Sequence, residues 1–174
     1  MKKEGGTQEG GTQGGGTKET SAAGRRFGVV AARWNETLVK RLVDAALDTL
    51  RRQGAREADV ELTWVPGSLE LPVAASWAAG SGRFDAVLAF GVVIRGETEH
   101  FRLVAEGAAE GLQRVALDTG VPVLNGVLAV YDAAQAEARA GGTHGNTGAQ
   151  VALAAVTMAH LHAAARGDAT RGRR

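Results

Sequence analysis

The segment Ala86–Ile94 (AVLAFGVVI) contains no polar side chain. Uninterrupted apolar runs of this kind are typical of strands that are covered on both faces, as in parallel sheets. Phe27–Ala32 (FGVVAA) is a second such run. Val60–Val65 alternates apolar and polar residues before Pro66-Gly67, and Val123–Val130 is apolar apart from Asn125. The pattern therefore predicts four strands.

Helical segments separate the predicted strands. Asn35 or Thr37 is a candidate N-cap for the first helix, in which leucines and alanines recur at helical spacing before Gly54. In the second helix, Leu69–Ala79, Pro72 falls in the first turn, where a helix tolerates proline. Further helices are predicted at His100–Thr119, Asp132–Ala140 and Asn146–Ala165.

Strands that alternate with helices indicate an α/β fold. We expect a parallel sheet with helices on both faces, joined by right-handed crossovers. Ligands in such folds bind outside the carboxyl ends of the strands, so the loops that follow the strands are the places to look for a site.

Both ends of the chain differ in composition from its centre. Residues 1–24 contain the repeat EGGTQ at Glu4–Gln8 and again at Glu9–Gln13, and they contain no aromatic residue, leucine or β-branched aliphatic residue. Because nothing there can offset the entropy of ordering, we predict a disordered Gly/Thr/Gln-rich tail, with a docking peptide as the alternative. Residues 166–174 carry four arginines and one aspartate. They predict a solvated basic tail, or one that attracts an anionic cargo, around a folded domain at residues 25–165.

Charge and composition exclude several classes of protein. The 20 Lys and Arg residues nearly balance the 19 Asp and Glu residues, which argues against a nucleic-acid partner held by phosphate contacts. The absence of cysteine excludes disulfides, thiolate zinc sites, iron–sulfur clusters and cysteine nucleophiles. No run of 18 apolar residues and no apolar signal core is present, so we expect no membrane association and a cytoplasmic location.

The loops after the first two strands carry candidate binding residues. Trp34 follows the first strand, where its ring can stack on a planar ligand or simply pack beside a helix start. Glu70 follows the second strand in Pro66–Glu70 (PGSLE), where a carboxylate can interact with the helix dipole or accept hydrogen bonds from a polyol or heterocycle.

The loop after the third strand combines an anion-binding turn with a histidine. Gly96-Glu97-Thr98 can offer backbone N–H groups to an anion at the start of a helix, and His100 can transfer protons near neutral pH. The pattern is neither GxxxxGK[ST] nor GxGxxG, so it predicts chemistry on a small phosphorylated molecule rather than nucleotide binding. Gly141–Gly148 (GGTHGNTG), which follows Arg139, is either a connector between helices or an anion-binding arm.

Taken together, several segments of the chain resemble the lumazine synthase family. The resemblance covers nearly all of residues 25–161, and its most specific strings are VIRGET-x-HF and VPGS-x-E-x-P. It implies a flavodoxin-like three-layer α/β/α sandwich with a four-stranded parallel sheet. It also implies the condensation of 5-amino-6-(ribitylamino)uracil with 3,4-dihydroxy-2-butanone 4-phosphate to 6,7-dimethyl-8-ribityllumazine in riboflavin biosynthesis, without a cofactor or metal. The family forms pentamers and often particles of sixty subunits.

The resemblance also implies roles for particular residues. It makes His100 the residue that moves protons, and it makes the Gly96-Glu97-Thr98 turn and Arg139 of a neighbouring subunit the phosphate site. The pyrimidine and its ribityl chain would be bound by a set of residues in the loops after the first three strands together with one in the fourth strand: Trp34, Ser68, Leu69, Glu70, Val92, Val93, Ile94 and Asn125.

Four positions depart from the family pattern. Leu69 stands where an aromatic residue is common, and Asn125 stands where a phenylalanine of the adjacent subunit normally covers the pyrimidine. Thr143 and Thr147 stand where lysine is typical. Two alternatives to the enzyme are therefore a shell-forming protein and a flavin- or lumazine-binding protein with weak or no catalysis.

Overall fold

A computed structural model describes residues 21–167 of the chain. Its strands are β1 (Phe27–Ala32), β2 (Val60–Val65), β3 (Ala86–Ile94) and β4 (Val123–Val130), with the bounds that the sequence predicts. They form one parallel sheet in the order β2-β1-β3-β4. This arrangement confirms the predicted flavodoxin-like α/β sandwich.

Within residues 21–167, five α-helices surround the sheet: α1 (Glu36–Arg52), α2 (Leu71–Gly80), α3 (His100–Thr119), α4 (Ala133–Arg139) and α5 (Thr147–Ala165). Side chains alternate across the sheet, so each central strand contributes to two cores. Phe27 and Phe90 are fully buried on the face of α1 and α5, while Val30 and Ala89 are buried on the face of α2 and α3. The three layers follow from this alternation.

Several predicted helix ends need correction. The second helix begins at Leu71, because Ser68–Glu70 forms a separate 3-10 turn before it. Asp132 and Asn146 lie outside their helices as N-caps, and each accepts a hydrogen bond at 2.8 Å from a backbone N–H two or three residues later. Asn35 occupies the N-cap position of α1, but its side chain does not cap the helix.

The segment 141–148 is more regular than a connector. Ala140–Gly142 (β5) and Gly145–Asn146 (β6) pair as an antiparallel two-stranded hairpin between α4 and α5. Gly148 then lies against the backbone of α1, where a Cβ would collide with the carbonyl oxygen of Leu42. The two helices can approach this closely because position 148 lacks a side chain.

The end of the predicted N-terminal tail is part of the packed body. Ala22 is fully buried, its N–H donates to the carbonyl of Gln53 at 2.7 Å, and the Ser21 carbonyl lies 2.6 Å from Nε2 of His160. The prediction of a tail through residue 24 therefore extends too far by residues 21–24. Residues 1–20 and 168–174, which hold the rest of both predicted tails, lie outside the described residues.

Candidate functional site

A cleft of about 520 Å³ opens at the carboxyl ends of β1, β2 and β3. The strand order reverses here, because β2 lies on one side of β1 and β3 on the other, and doubly wound sheets bind ligands at such a switch point. Small-molecule sites commonly have volumes of roughly 300–1,000 Å³. The cleft is lined by Trp34, Asn35, Gly67, Ser68, Leu69, Glu70, Val92, Val93, Ile94, Gly96, Thr98, His100, Phe101 and Val104.

The loop after β1 places an exposed indole at the cleft mouth. The N–H of Arg33 donates to the Val65 carbonyl at 2.9 Å, and that of Trp34 donates to the Pro66 carbonyl at 3.3 Å, so pairing with the β2 segment continues past the strand. The Trp34 side chain is left 73% exposed. Its ring is therefore available to stack on a flat ligand.

The loop after β2 provides two oxygen-bearing side chains. Glu70 and Trp34 lie on either side of Gly67, where a Cβ would be 3.0 Å from Glu70 Oε2 and 3.2 Å from Trp34 Cδ1. Ser68 is only 5% exposed, and its hydroxyl makes no hydrogen bond to residues 21–167 although it lines the cleft. Within residues 21–167 no buried polar side-chain atom lacks a hydrogen-bond partner, so the Ser68 hydroxyl is open to the cleft, where it can bond a polar group of a ligand.

The loop after β3 forms the opposite wall. Gly96 and Thr98 line the cleft, whereas Glu97 between them does not. The N–H of His100, the first residue of α3, donates to Thr98 Oγ1 at 3.4 Å, which ties the turn to the helix start. A turn of this kind at the amino end of a helix can bind an anion, and the imidazole of His100 lies beside it.

The cleft wall in residues 21–167 includes no lysine or arginine. Arg102 lies in the first turn of α3, but it donates to Glu99 at 3.2 Å and to Glu106 at 3.4 Å. The hydrogen bond to Glu99 and the charges of both carboxylates raise the pKa of Arg102. The guanidinium of Arg102 therefore pairs with carboxylates of its own helix region and does not line the cleft.

Two predicted site residues lie away from the cleft. Asn125 is exposed in the edge strand β4, about 16 Å from the carboxyl end of that strand at a rise near 3.3 Å per residue, and its Oδ1 accepts from the Val127 N–H at 2.9 Å. Arg139 ends α4 and donates to the Gln135 carbonyl at 3.1 Å. Within one chain, neither side chain lines the cleft.

No group of three or more His, Asp or Glu residues in the described part of the chain is arranged to hold a metal ion. Among the helices of residues 21–167, none has the length and apolar character needed to cross a membrane.

Comparison with known proteins identifies the family of the chain. The family model described as 6,7-dimethyl-8-ribityllumazine synthase matches residues 24–163. The chain belongs to this family.

Its relatives include proteins named 6,7-dimethyl-8-ribityllumazine synthase from two genera. The protein of Stenotrophomonas maltophilia (strain R551-3) is 52% identical over 136 residues, which are 78% of this chain and 88% of that protein. The protein of Xanthomonas oryzae pv. oryzae (strain PXO99A) is 50% identical over the same share of both chains. As a member of the lumazine synthase family, the chain is an enzyme of the transferase class.

Four residues that line the cleft of this lumazine synthase were not predicted as site residues from the sequence. Phe101 and Val104 follow His100 on α3, and Val104 is one helical turn beyond it, so the helical period was a usable signal for that position. Gly67 matters only because Trp34 and Glu70 approach it. The role of Asn35 depends on a contact with β3, which local sequence cannot reveal.

Proposed function

We propose that the chain condenses 5-amino-6-(ribitylamino)uracil with 3,4-dihydroxy-2-butanone 4-phosphate to give 6,7-dimethyl-8-ribityllumazine in riboflavin biosynthesis. The observation that carries the proposal is one cleft, in a chain of this family, that combines an exposed indole, a serine hydroxyl, a carboxylate, a helix-start turn and an imidazole. These groups match a substrate pair that contains a flat ring, a polyol, a phosphate and protons to be moved.

The uracil half of the site lies between β1, β2 and β3. The Trp34 ring stacks on the pyrimidine, as its exposed position at the mouth favours. Hydroxyls of the ribityl chain hydrogen-bond to the Ser68 hydroxyl and the Glu70 carboxylate, and Leu69 lies between these two residues in the chain. The segment Val92–Ile94 faces the edge of the pyrimidine ring. A ligand bound here gives the Ser68 hydroxyl, which is open to the cleft, a hydrogen-bond partner.

The phosphate half is incomplete in a single chain. The Gly96-Glu97-Thr98 turn supplies backbone N–H groups, but the described cleft wall supplies no cation. A dianionic group is held much more strongly with an arginine present, because charge-assisted hydrogen bonds are roughly twice as strong as neutral ones. The Arg139 of a neighbouring subunit fills this need, and the neighbour's Asn125 lies beside the pyrimidine, where it offers an amide in place of the ring contact that phenylalanine gives in the family.

The chemistry needs proton transfers and close positioning rather than a covalent enzyme intermediate. The 5-amino nitrogen adds to the ketone carbon of the butanone phosphate, and water leaves to form an imine. A proton is then lost from C3 as the phosphate departs from C4 with the C–O bond electrons, and the resulting enol becomes a ketone at C3. The ribitylamino nitrogen adds to that carbon and closes the second ring with loss of another water. His100 moves protons in these steps, and binding both reactants in one cleft supplies the proximity.

Sharing of the site between subunits implies an oligomer. Of the twenty residues of α3, only Ala108 and Leu112 are buried, while Leu103 and Leu117 are more than half exposed. Helices this poorly covered in one chain commonly pack against a partner. The proposed assembly is a pentamer, which can associate further into particles of sixty subunits.

Light scattering and electron microscopy test the two levels of assembly. A monomeric mass in light scattering at micromolar protein concentration would refute the pentamer. Electron micrographs that show only isolated pentamers across a range of buffers would refute the particle of sixty subunits.

The decisive experiment mixes the purified protein with both substrates and follows lumazine absorbance. Formation of 6,7-dimethyl-8-ribityllumazine together with stoichiometric phosphate is expected. Ligand binding without turnover would instead support the flavin- or lumazine-binding alternative, which no observation on residues 21–167 favours. The cytoplasmic location and the absence of a cofactor stay predictions.

A further inference from the structure

Asn35 has the one positive φ angle found at a non-glycine residue within residues 21–167, with φ 58° and ψ 39°. Asparagine at a helix N-cap ordinarily accepts a hydrogen bond from the first turn of the helix. Here the side chain turns away from α1, and its Nδ2 donates to the backbone carbonyl of Val92 in β3 at 2.8 Å. The Asn35 side chain therefore makes a hydrogen bond to a residue 57 positions away in the chain instead of capping its own helix.

The need for this contact follows from the sheet register. Pairing between β1 and β3 ends at Ala31 and Phe90, whereas β3 continues to Ile94 and stays paired with β4. The last residues of β3 therefore have a strand partner on one side only. Because backbone groups alternate between the two sides of a strand, the carbonyl of Val92 points to the open side, and Asn35 satisfies it. Two residues on, the backbone N–H and carbonyl of Ile94 face the same open side.

The left-handed backbone of Asn35 also directs the chain at the cleft mouth. It lies between Trp34, whose ring is exposed at the mouth, and α1, whose first turn uses the Asn35 carbonyl as acceptor at 2.9 Å and 3.1 Å. One residue thus connects the ring that would cover the pyrimidine to the strand end that would meet its edge.

We propose that Asn35 is a positioning residue that sets the spacing between Trp34 and the Val92–Ile94 edge, and so determines affinity for the pyrimidine substrate. The inference rests on the proposed function of the cleft and deepens it. It concerns the uracil half alone, because the Gly96-Glu97-Thr98 turn lies beyond the residues that Asn35 contacts.

Two substitutions separate the side-chain contact from the backbone conformation. Glycine readily adopts positive φ, so Asn35→Gly keeps the backbone and removes the donor. Aspartate also tolerates this conformation, but its carboxylate cannot donate and repels the Val92 carbonyl in Asn35→Asp. Lys40→Ala is the matched control, because Lys40 is exposed on the same helix and its partner is Asp44 at 2.9 Å.

We expect Asn35→Gly to raise the KM for the uracil about three- to ten-fold, the effect of one lost hydrogen bond. Asn35→Asp should raise it at least as much, because its carboxylate repels the Val92 carbonyl instead of donating to it. The KM for the butanone phosphate and the values for Lys40→Ala should stay within about two-fold of the wild type. This split between the two KM values is not expected from general destabilisation.

Equal rises in both KM values, or an unchanged uracil KM in Asn35→Gly, would overturn the positioning role. Calorimetric titration with the uracil alone measures the same affinity without turnover. A wild type that forms no lumazine refutes the proposed function, and the ratio of dissociation constants between wild type and Asn35→Gly still decides the role of Asn35. If Asn35→Asp does not fold, Asn35→Gly alone provides the decision.

Discussion

Gly91 lies in β3 directly behind the Ser68 hydroxyl. A Cβ at position 91 would be 2.6 Å from Ser68 Oγ and 3.2 Å from Leu71 Cδ1, where ordinary contact begins at 3.4 Å. The φ angle of Gly91 lies outside the left-handed region, so alanine is compatible with the backbone. Gly91→Ala is therefore a purely steric perturbation aimed at one oxygen atom.

Gly91→Ala should weaken binding of the uracil substrate more than it lowers the free energy of unfolding. Ser68 can rotate its hydroxyl to another rotamer, and the methyl group of Leu71 needs to move by only a few tenths of an ångström. We therefore expect a destabilisation of about 1 kcal/mol, at the lower end of the range for overpacked cores. The rotated hydroxyl no longer reaches the ribityl chain, and one hydrogen bond of about 0.5–1.5 kcal/mol corresponds to a rise in uracil KM of roughly two- to ten-fold.

A double-mutant cycle with Ser68→Ala tests this reasoning. Steady-state kinetics for both substrates and denaturant midpoints are measured for the wild type, both single variants and the double variant. In the Ser68→Ala background the clash is absent, so Gly91→Ala should no longer change the uracil KM. Gly80→Ala is the control, because no atom lies within 4 Å of its Cβ position. Additive effects of the two substitutions on KM would refute an action through the Ser68 hydroxyl.

Further predictions concern catalysis, charge, pH and packing. His100→Ala should lower kcat by at most about 10²–10⁴-fold with uracil binding largely kept, and loss of uracil binding in a titration contradicts the proton-transfer role. Thr147→Lys should lower the KM for the butanone phosphate a few-fold and leave the KM for the uracil unchanged, and the effect should shrink at high salt. If neither KM changes, residue 147 does not lie near the bound phosphate. The hydrogen bond from Arg56 lowers the pKa of Asp59, so its contribution to the free energy of unfolding, about 1 kcal/mol or less, should be present above an ordinary aspartate pKa near 4 and lost as the pH falls further. Asp59→Asn should remove that acid dependence in denaturant titrations at several pH values. Gly148→Ala should abolish or severely weaken folding, seen by circular dichroism, because its Cβ would collide with the backbone of α1.

Local pattern was enough to predict the elements of the sheet. All four strands of this sheet have the predicted bounds. The central strands β1 and β3 are buried on both faces and leave continuous apolar runs in the sequence, whereas the edge strand β2 leaves an alternating pattern. The long helix His100–Thr119 was equally well bounded, since it starts after a glycine-containing turn and ends before Gly120. The order of these elements also predicted which loops meet at the cleft, because parallel strands place their carboxyl ends on one edge of the sheet.

What the tertiary structure decided depends on contacts between distant segments. Sequence favoured Asn35 as a helix cap, but the unpaired carbonyl of Val92 competes for its side chain and takes it. Ala22 was assigned to the tail because residues 1–24 contain no aromatic residue, leucine or β-branched aliphatic residue, yet it is buried in the core beside residues of α1 and α5. Asn125 stands at a site position of the family, where phenylalanine is usual, but lies on an exposed strand edge of its own chain. Periodicity and propensity describe each residue's near neighbours along the chain, whereas hydrogen-bond competition and burial depend on residues that only folding brings together.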